Sequence, residues 1–197
     1  MFRITFLLTL AACAAAAQSN PQPKGAPPPG QVARPLGDIK IKTTDAKGIN
    51  LRRYRGKEVI LFLFSTESDD CAKAVKYMSG IQDKLGPKGM QVIGIGVNNN
   101  APYQLAGWNT RYRPTFPLGF MDADMTVKLL AVKPDERPFV PIIVFIDPSS
   151  LVRYQFFGDS PIFKEPSGTE RVLTATAERL MEQYRKAHAP ATAPPDK

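Results

Sequence analysis

Continuous apolar runs of strand length divide the middle of this chain. The runs cover residues 59–64, 91–97 and 141–146. Runs of this kind are typical of strands that a sheet buries on both faces. Apolar residues at helical spacing follow in four segments, residues 71–85, 103–112, 125–132 and 172–184. Buried strands that alternate with helices predict an α/β sandwich, in which helices flank a mixed central sheet.

Shorter patterns extend this core at both ends. Residues 39–42 and 49–51 alternate between apolar and polar side chains, which predicts two short strands joined by the turn at residues 45–48. Residues 147–150 form a polar turn that leads into another alternating segment, residues 151–157. The third long strand and this segment are therefore predicted to form a hairpin.

Proline-rich segments mark the two ends of the predicted domain. The chain has 197 residues, which suits one domain with flanking segments. Residues 18–34 are rich in Pro, Gly and Gln, and residues 189–197 repeat that character. We expect a flexible linker over 18–34, a folded domain over 35–188 and a disordered tail over 189–197.

The first 17 residues have the layout of a secretory signal. Arg3 supplies a basic start, residues 4–10 are apolar and residues 11–17 are small. The apolar run is shorter than the roughly 20 residues that span a bilayer. Cleavage after Ala17 is one reading. A lipobox at residues 10–13, which would make Cys13 a lipidated first residue, is the second, and an uncut anchor is the third. All three place the domain outside the cytoplasm, in the periplasm or secreted, with membrane attachment only through the signal or a lipid.

Charge and composition narrow the range of partners. The formal net charge is +8, with a basic cluster at residues 52–57. Because an exported protein meets little nucleic acid, we interpret this cluster as a solvated loop and predict no nucleic-acid partner. The chain has two cysteines and one histidine, so no Cys/His cluster predicts a zinc site, and we predict neither a metal nor a cofactor. Once Cys13 is removed or lipidated, Cys71 is the remaining thiol.

The junction between the first long strand and the first long helix carries the candidate chemistry. Phe64 is followed by small polar residues, and a helical pattern then begins around Cys71. Ser68 is a good helix N-cap, and Asp69 and Asp70 in a first turn complement the helix dipole. These residues therefore predict a helix start that holds a single thiol in its first turn.

In this order the segments resemble those of the thioredoxin-fold redoxins, most closely the TlpA/ResA branch of exported thiol-disulfide oxidoreductases, which are related to the AhpC/TSA proteins. The matching segments are residues 51–64, 64–71, 89–100, 112–124 and 140–147. The resemblance implies a thioredoxin-like three-layer sandwich. It also aligns Cys71 with the second cysteine of the family's Cys-x-x-Cys pair, places Ser68 at the first, and makes Pro141 the cis-proline that faces the thiol.

The serine changes what this resemblance implies about activity. In the family the first cysteine attacks a disulfide and the second resolves the mixed disulfide. Ser68 lacks an activating base, since the one histidine, His188, lies at the start of the tail. Our first hypothesis is a single-cysteine thiol oxidoreductase that acts through Cys71 on exported thiols, disulfides or peroxides, with an external reductant. The alternative is a redox-silent domain that binds exported polypeptides or a membrane partner through the groove in which the family's enzymes bind their substrates.

A comparison with peroxiredoxins leaves a weaker alternative. Their Pro-x-x-x-Thr/Ser-x-x-Cys motif matches Ser68 and Cys71, but Phe64 stands at the proline position. Their activating arginine corresponds to Pro141, and Arg137 is nearby but out of register. Without a cation beside the thiolate, efficient peroxide reduction is not expected.

Overall fold

The computed structural model describes residues 30–133, 135–136 and 138–189. Within them six strands form one sheet, and helices cover both faces. The strands are β1 (Gln31–Pro35), β2 (Glu58–Phe64), β3 (Met90–Gly96), β4 (Leu118–Phe120), β5 (Ile142–Ile146) and β6 (Leu151–Phe156). The α-helices are α1 (Asp69–Leu85), α2 (Ala101–Tyr112), α3 (Ala123–Leu130) and α4 (Pro166–Ala187), with short 3-10 helices at Leu51–Tyr54, Gly86–Lys88 and Pro161–Phe163. The predicted α/β sandwich with a mixed sheet is confirmed.

Strand β2 lies at the centre of the sheet, whose order is β1-β6-β5-β2-β3-β4. It runs parallel to β3 and antiparallel to β5, and the predicted hairpin of β5 and β6 is present. All of β2 is buried, because neighbouring strands cover both of its edges and apolar layers cover both of its faces. The residues that follow the carboxyl end of β2, residues 65–68, therefore lie at one edge of the core.

The alternation of side chains along β2 divides the core into two layers. Ile60, Phe62 and Phe64 pack on one face with residues of α1, α2 and α4. Leu61 and Leu63 pack on the other face with α3 and the segment of residues 36–54. A fully buried side chain of this size contributes roughly 1.5–3 kcal/mol of transfer free energy, so the two layers hold the strand in register.

Two expectations at the amino-terminal side differ from the structure. Residues 39–42 and 49–51 form no regular strands, since only Ile41 and Ile49 pair, and Lys42 pairs with Phe120. The ladder stops there because Asn50 caps a 3-10 helix, and its side chain accepts a hydrogen bond from the backbone N–H of Arg52 at 2.9 Å. The buried isoleucines of this segment thus support the core by packing rather than by sheet pairing.

Strand β1 lies in the segment that the sequence predicted as linker, so the ordered domain begins at least four residues before the predicted start at Pro35. Its side chains alternate between exposed and half-buried, which gives a weak apolar signal. Pairing with β6 stabilises the strand instead, and the Arg34 guanidinium donates to Leu129 O at 2.5 Å and to Gln155 Oε1 at 2.8 Å. Among the described helices, none has the length and apolar character needed to cross a membrane.

Candidate functional site

The loop of residues 65–68 turns the chain from β2 into α1. The Ser68 N–H donates to Ser65 O at 3.3 Å, and the Glu67 N–H donates to Ser65 Oγ at 3.2 Å. Ser68 is the N-cap of α1, because its Oγ accepts from the backbone N–H of Cys71 at 3.3 Å. Since this hydrogen bond satisfies one of the unpaired amides at the helix start, the Ser68 hydroxyl has a structural role.

Cys71 lies in the first turn of α1 and points into the core. Its residue surface is 0% exposed, and it packs with Ala74, Val75 and the aromatic residues of β2. Burial raises the pKa of the Cys71 thiol, and the charge of Asp70 raises it further. Hydrogen bonds from the Ser68 side chain and the Ser65 backbone lower this pKa and only partly offset the burial. The balance favours the neutral thiol at neutral pH.

Tyr77 is a second titratable group of this region, and the sequence gave no reason to select it. Its ring packs half-buried against the core that contains Cys71. Burial raises the pKa of the Tyr77 phenol, and the charges of Cys71 and Asp70 raise it further. The Tyr77 hydroxyl therefore stays neutral beside the thiol and supplies no charge that would stabilise a thiolate.

Pro141 lies at the same edge of the sheet as the loop. The Val140–Pro141 peptide bond is cis. Strands β5 and β2 are antiparallel with Ile142 opposite Leu63, so the next pair in this register brings Pro141 opposite Phe64. Strand β2 ends at Phe64, and the Ser68 cap follows four residues later. The structure thus brings the three residues that the sequence selected, Ser68, Cys71 and Pro141, to one end of the sheet.

Gly158 positions the segment before Pro141, and its role was not apparent from the sequence. Its N–H donates to Phe139 O at 2.7 Å. A Cβ at this position would lie 2.6 Å from Val140 O and 2.8 Å from Phe139 O. Such distances are too short for a side chain, so only glycine allows this close approach of two backbone segments.

A polar network fixes the loop of residues 65–68 against the start of α2. The Thr66 N–H donates to Asn98 Oδ1 at 3.0 Å, and the Thr66 hydroxyl also contacts Gln104. The carboxylate of Glu67 accepts from Asn100 Nδ2 at 2.7 Å and from Gln104 Nε2 at 3.4 Å. The run of three asparagines after β3 was the sequence signal for this network, although it indicated only a loop. The network holds Glu67 at the rim of the site.

Other residues considered from the sequence lie elsewhere. Cys13 and Arg137 fall outside the described residues. His188 lines a cleft together with Asp147 and Ser149, which follow the carboxyl end of β5. Because β5 is antiparallel to β2, this cleft lies at the end of the sheet opposite the loop and Cys71. His188 is therefore too remote to act as a base for Ser68 or Cys71.

The arrangement has clear chemical consequences. A hydroxyl needs an adjacent base to become a nucleophile, and the described side chains around Ser68 provide carboxylates, amides and hydroxyls but no histidine. A thiol needs its thiolate form, which the core location of Cys71 disfavours. The site retains the shape of a helix start beside a cis-proline, but it lacks the exposed thiol that would begin dithiol exchange.

The fold and this edge of the sheet define the thioredoxin-like class of proteins. The family model described as "AhpC/TSA family" matches residues 32–155, so the chain belongs to the AhpC/TSA family. The match confirms the resemblance to the thioredoxin-fold redoxins. No curated protein matches the chain.

Solved structures share this fold at low sequence identity. A candidate protein disulfide isomerase from Bacteroides thetaiotaomicron is 21% identical with a TM-score of 0.62, covering 80% of this chain and 94% of that one. A candidate thiol:disulfide interchange protein DsbE from Chlorobium tepidum is 20% identical with a TM-score of 0.58, and the match covers 72% of this chain and 96% of that one. A hypothetical protein from Sinorhizobium meliloti 1021 is 12% identical with a TM-score of 0.63, and the match covers 77% of this chain and 85% of that one. At these identities the likeness shows the fold.

Proposed function

We propose that this chain is an exported thioredoxin-fold protein that binds polypeptide segments at the edge formed by the loop of residues 65–68 and Pro141, without dithiol exchange. The observation that carries the proposal is the complete burial of Cys71, the free cysteine of the described residues. A thiol that is neutral and shielded attacks disulfides slowly. The structure therefore favours the redox-silent alternative over the single-cysteine enzyme.

Exposed aromatic side chains at this edge support a binding role. Tyr103 is 87% exposed in the first turn of α2, beside the residues that hold Glu67. Phe139 is 69% exposed and lies two residues before Pro141. Exposed aromatic rings cost hydration free energy in an isolated protein and are enriched where a partner covers them. A partner segment that lies across the edge would bury both rings.

A single-thiol oxidoreductase is the second candidate, and the hydrogen bonds at the sulfur favour it. The Ser68 side chain and the Ser65 backbone both lower the pKa of Cys71 against the effect of burial. In this mechanism the Cys71 thiolate would attack a partner disulfide, form a mixed disulfide and release one partner thiolate. An external thiol would then displace Cys71 and restore the starting state. A local opening of the helix start would have to expose the sulfur first.

Export is part of the proposal and rests on residues 1–17, which lie outside the described residues. Cleavage after Ala17 would release the domain, whereas lipidation of Cys13 would attach it to a membrane. The mass of the amino-terminal peptide from the native host separates the two. A mature chain that starts at residue 18 supports release, a lipid-modified Cys13 supports attachment, and an intact Met1 in the cytoplasmic fraction would contradict export.

Thiol reactivity tests the redox part of the proposal. We expect the folded Cys13→Ser protein, in which Cys71 is the remaining thiol, to react with a thiol reagent at pH 8 roughly 100-fold more slowly than the same protein in denaturant, because the sulfur is buried. The Ser68→Cys variant restores the first thiol and should gain insulin-disulfide reduction that the parent lacks. Parent activity that disappears in Cys71→Ser would instead establish the single-thiol enzyme.

Binding itself needs a separate test with a matched control. An unfolded, carboxymethylated polypeptide serves as the probe, and fluorescence anisotropy measures its binding. Phe139→Ser and Tyr103→Ser should each weaken binding several-fold. Val172→Ser is the control, because Val172 is also exposed, at 38%, but lies on α4, which contributes none of the site residues described above. Equal affinities for all three variants and the parent would overturn the binding proposal.

A further inference from the structure

A basic loop lies at the amino end of β2, opposite the candidate site. The segment carries Arg52, Arg53, Arg55 and Lys57, and all four are exposed. Within the described residues none of these cations forms an ion pair. Five lysines elsewhere in the described part of the chain are paired with carboxylates, namely Lys42, Lys47, Lys73, Lys84 and Lys186. The loop therefore concentrates uncompensated positive charge.

The loop has a fixed backbone. Asn50 caps its 3-10 helix, and the Arg53 N–H donates to Asn50 O at 3.1 Å. Leu51 and Tyr54 pack against the core, so the apolar side of the helix faces inward. The Gly56 N–H donates to Pro148 O at 3.2 Å, which connects the loop to the β5–β6 turn. Cations on such a rigid support lose less conformational entropy when they bind a ligand.

A cleft of about 360 Å³ lies beside this loop. Arg52 and Arg55 line it, together with Asn50, residues 35–39 and residues 149–151. Asp38 is the acidic residue of its wall. The lining thus contains two arginines and one carboxylate, and the neighbouring Arg53 and Lys57 add exposed positive charge to the same loop. The electrostatic balance of the cleft favours an anion.

We propose that this cleft binds a phosphate group, supplied either by a phospholipid headgroup or by a soluble phosphate ester. The planar guanidinium donates two hydrogen bonds at once to neighbouring phosphate oxygens, which makes arginine the preferred partner of this group. The volume of the cleft exceeds what one inorganic phosphate needs, so it also accommodates the glycerol or sugar that carries the group.

The position of the cleft gives the proposal a functional consequence. The seven residues of β2 separate the basic loop from the loop at residues 65–68, a distance of roughly 20 Å along the strand. A phosphate in the cleft therefore leaves Ser68 and Pro141 uncovered. On an anionic membrane, the same geometry would turn the candidate polypeptide site away from the lipid surface.

The test compares two double variants of the full-length chain, each with Cys13→Ser to prevent lipidation. Arg52→Gln with Arg55→Gln removes the cations of the cleft. The control, Arg171→Gln with Arg185→Gln, removes the same charge from exposed positions on α4. Circular dichroism melts establish that both variants are folded. The probes are inorganic phosphate and glycerol 3-phosphate, followed by NMR or calorimetry, and vesicles of phosphatidylcholine with or without phosphatidylglycerol, followed by sedimentation.

We expect the cleft variant to lose phosphate binding and the control to keep it. If the ligand is a headgroup, partitioning to phosphatidylglycerol vesicles should fall roughly 25-fold, about five-fold for each cation removed near an anionic surface. If the ligand is a soluble ester, glycerol 3-phosphate binding should be lost while vesicle binding of the cleft and control variants stays equal. Equal behaviour of the two variants with every probe would overturn the proposal.

Discussion

The buried carboxyl group of Glu58 should make the stability of this protein strongly dependent on pH. It is the first residue of β2 and only 1% exposed, and within the described residues neither of its carboxyl oxygens has a hydrogen-bond partner. Val59 pairs with Ile146, so the adjacent position across the sheet is Asp147. Burial, and then the charge of Asp147, raises the pKa of Glu58 to about 9. Replacing Glu58 with Gln removes the titration and keeps the shape.

The magnitude follows from the two pKa values of this carboxyl. In the unfolded chain it titrates near its ordinary 4.5, whereas in the folded protein it titrates near 9. The folded state therefore holds the proton more tightly, and its contribution to stability is complete below pH 4.5 and lost as the pH rises to 9. The loss is about 1.4 kcal/mol per pH unit in this window, or about 6 kcal/mol in total.

Urea unfolding measured from pH 5 to pH 9 gives the assay. The parent should lose stability steeply across this range relative to Glu58→Gln, and Glu58→Leu, which adds no polar group, should be more stable than the parent at pH 8. Glu170→Gln is the control, because that carboxylate is exposed on α4. Parallel pH profiles for the parent and Glu58→Gln would refute the reasoning, since they would mean that Glu58 is solvated or paired in the folded protein.

Three further changes test the architecture of the site. Ser68→Ala removes the hydrogen bond that caps the Cys71 N–H and should lower the free energy of unfolding in urea by about 1 kcal/mol. Ser68→Asp keeps a capping oxygen and is the control. Equal stabilities of the Ser68→Ala and Ser68→Asp variants would contradict the capping role. Gly158→Ala forces the Val140 carbonyl to move, so it should destabilise the protein by more than about 1 kcal/mol and weaken polypeptide binding. Gly107→Ala is the control, because its Cβ would meet open space, and it should have neither effect. Phe64→Ala should lower the free energy of unfolding, measured by calorimetry, by roughly 3–5 kcal/mol, because the Phe64 ring stacks on Trp108 with 4.2 Å between the ring centroids. A loss below about 1 kcal/mol would mean that this stack is not part of the folded core.

The periodicity of the chain determined most of the fold. The apolar runs at residues 59–64, 91–97 and 141–146 became β2, β3 and β5 with shifts of one residue at most at each end. These predictions succeeded because a strand buried on both faces requires an unbroken apolar run. Edge strand β1 was missed because its stability comes from pairing with β6, which a local pattern does not reveal.

The candidate site was predictable only where neighbours in sequence interact. Ser68 and Cys71 are three residues apart, and the cap between them follows from helix geometry. Gly158, in contrast, acts on Val140 from the far end of a hairpin, and Asn100 reaches Glu67 from another loop. Residues of this kind carry no local signal, because their roles depend on contacts that exist only after the chain has folded.

The sequence by itself determined the class of fold and the helix start at Ser68, and it selected Cys71 as the candidate thiol. Tertiary structure decided whether that thiol is available. Cys71 is fully buried in the core cluster that α1, α2, α4 and the central strand share, and a thiolate there loses more solvation free energy than the hydrogen bonds from Ser68 and Ser65 return. The order of residues in a motif states which groups are present, but the solvation of those groups depends on what the rest of the chain places around them.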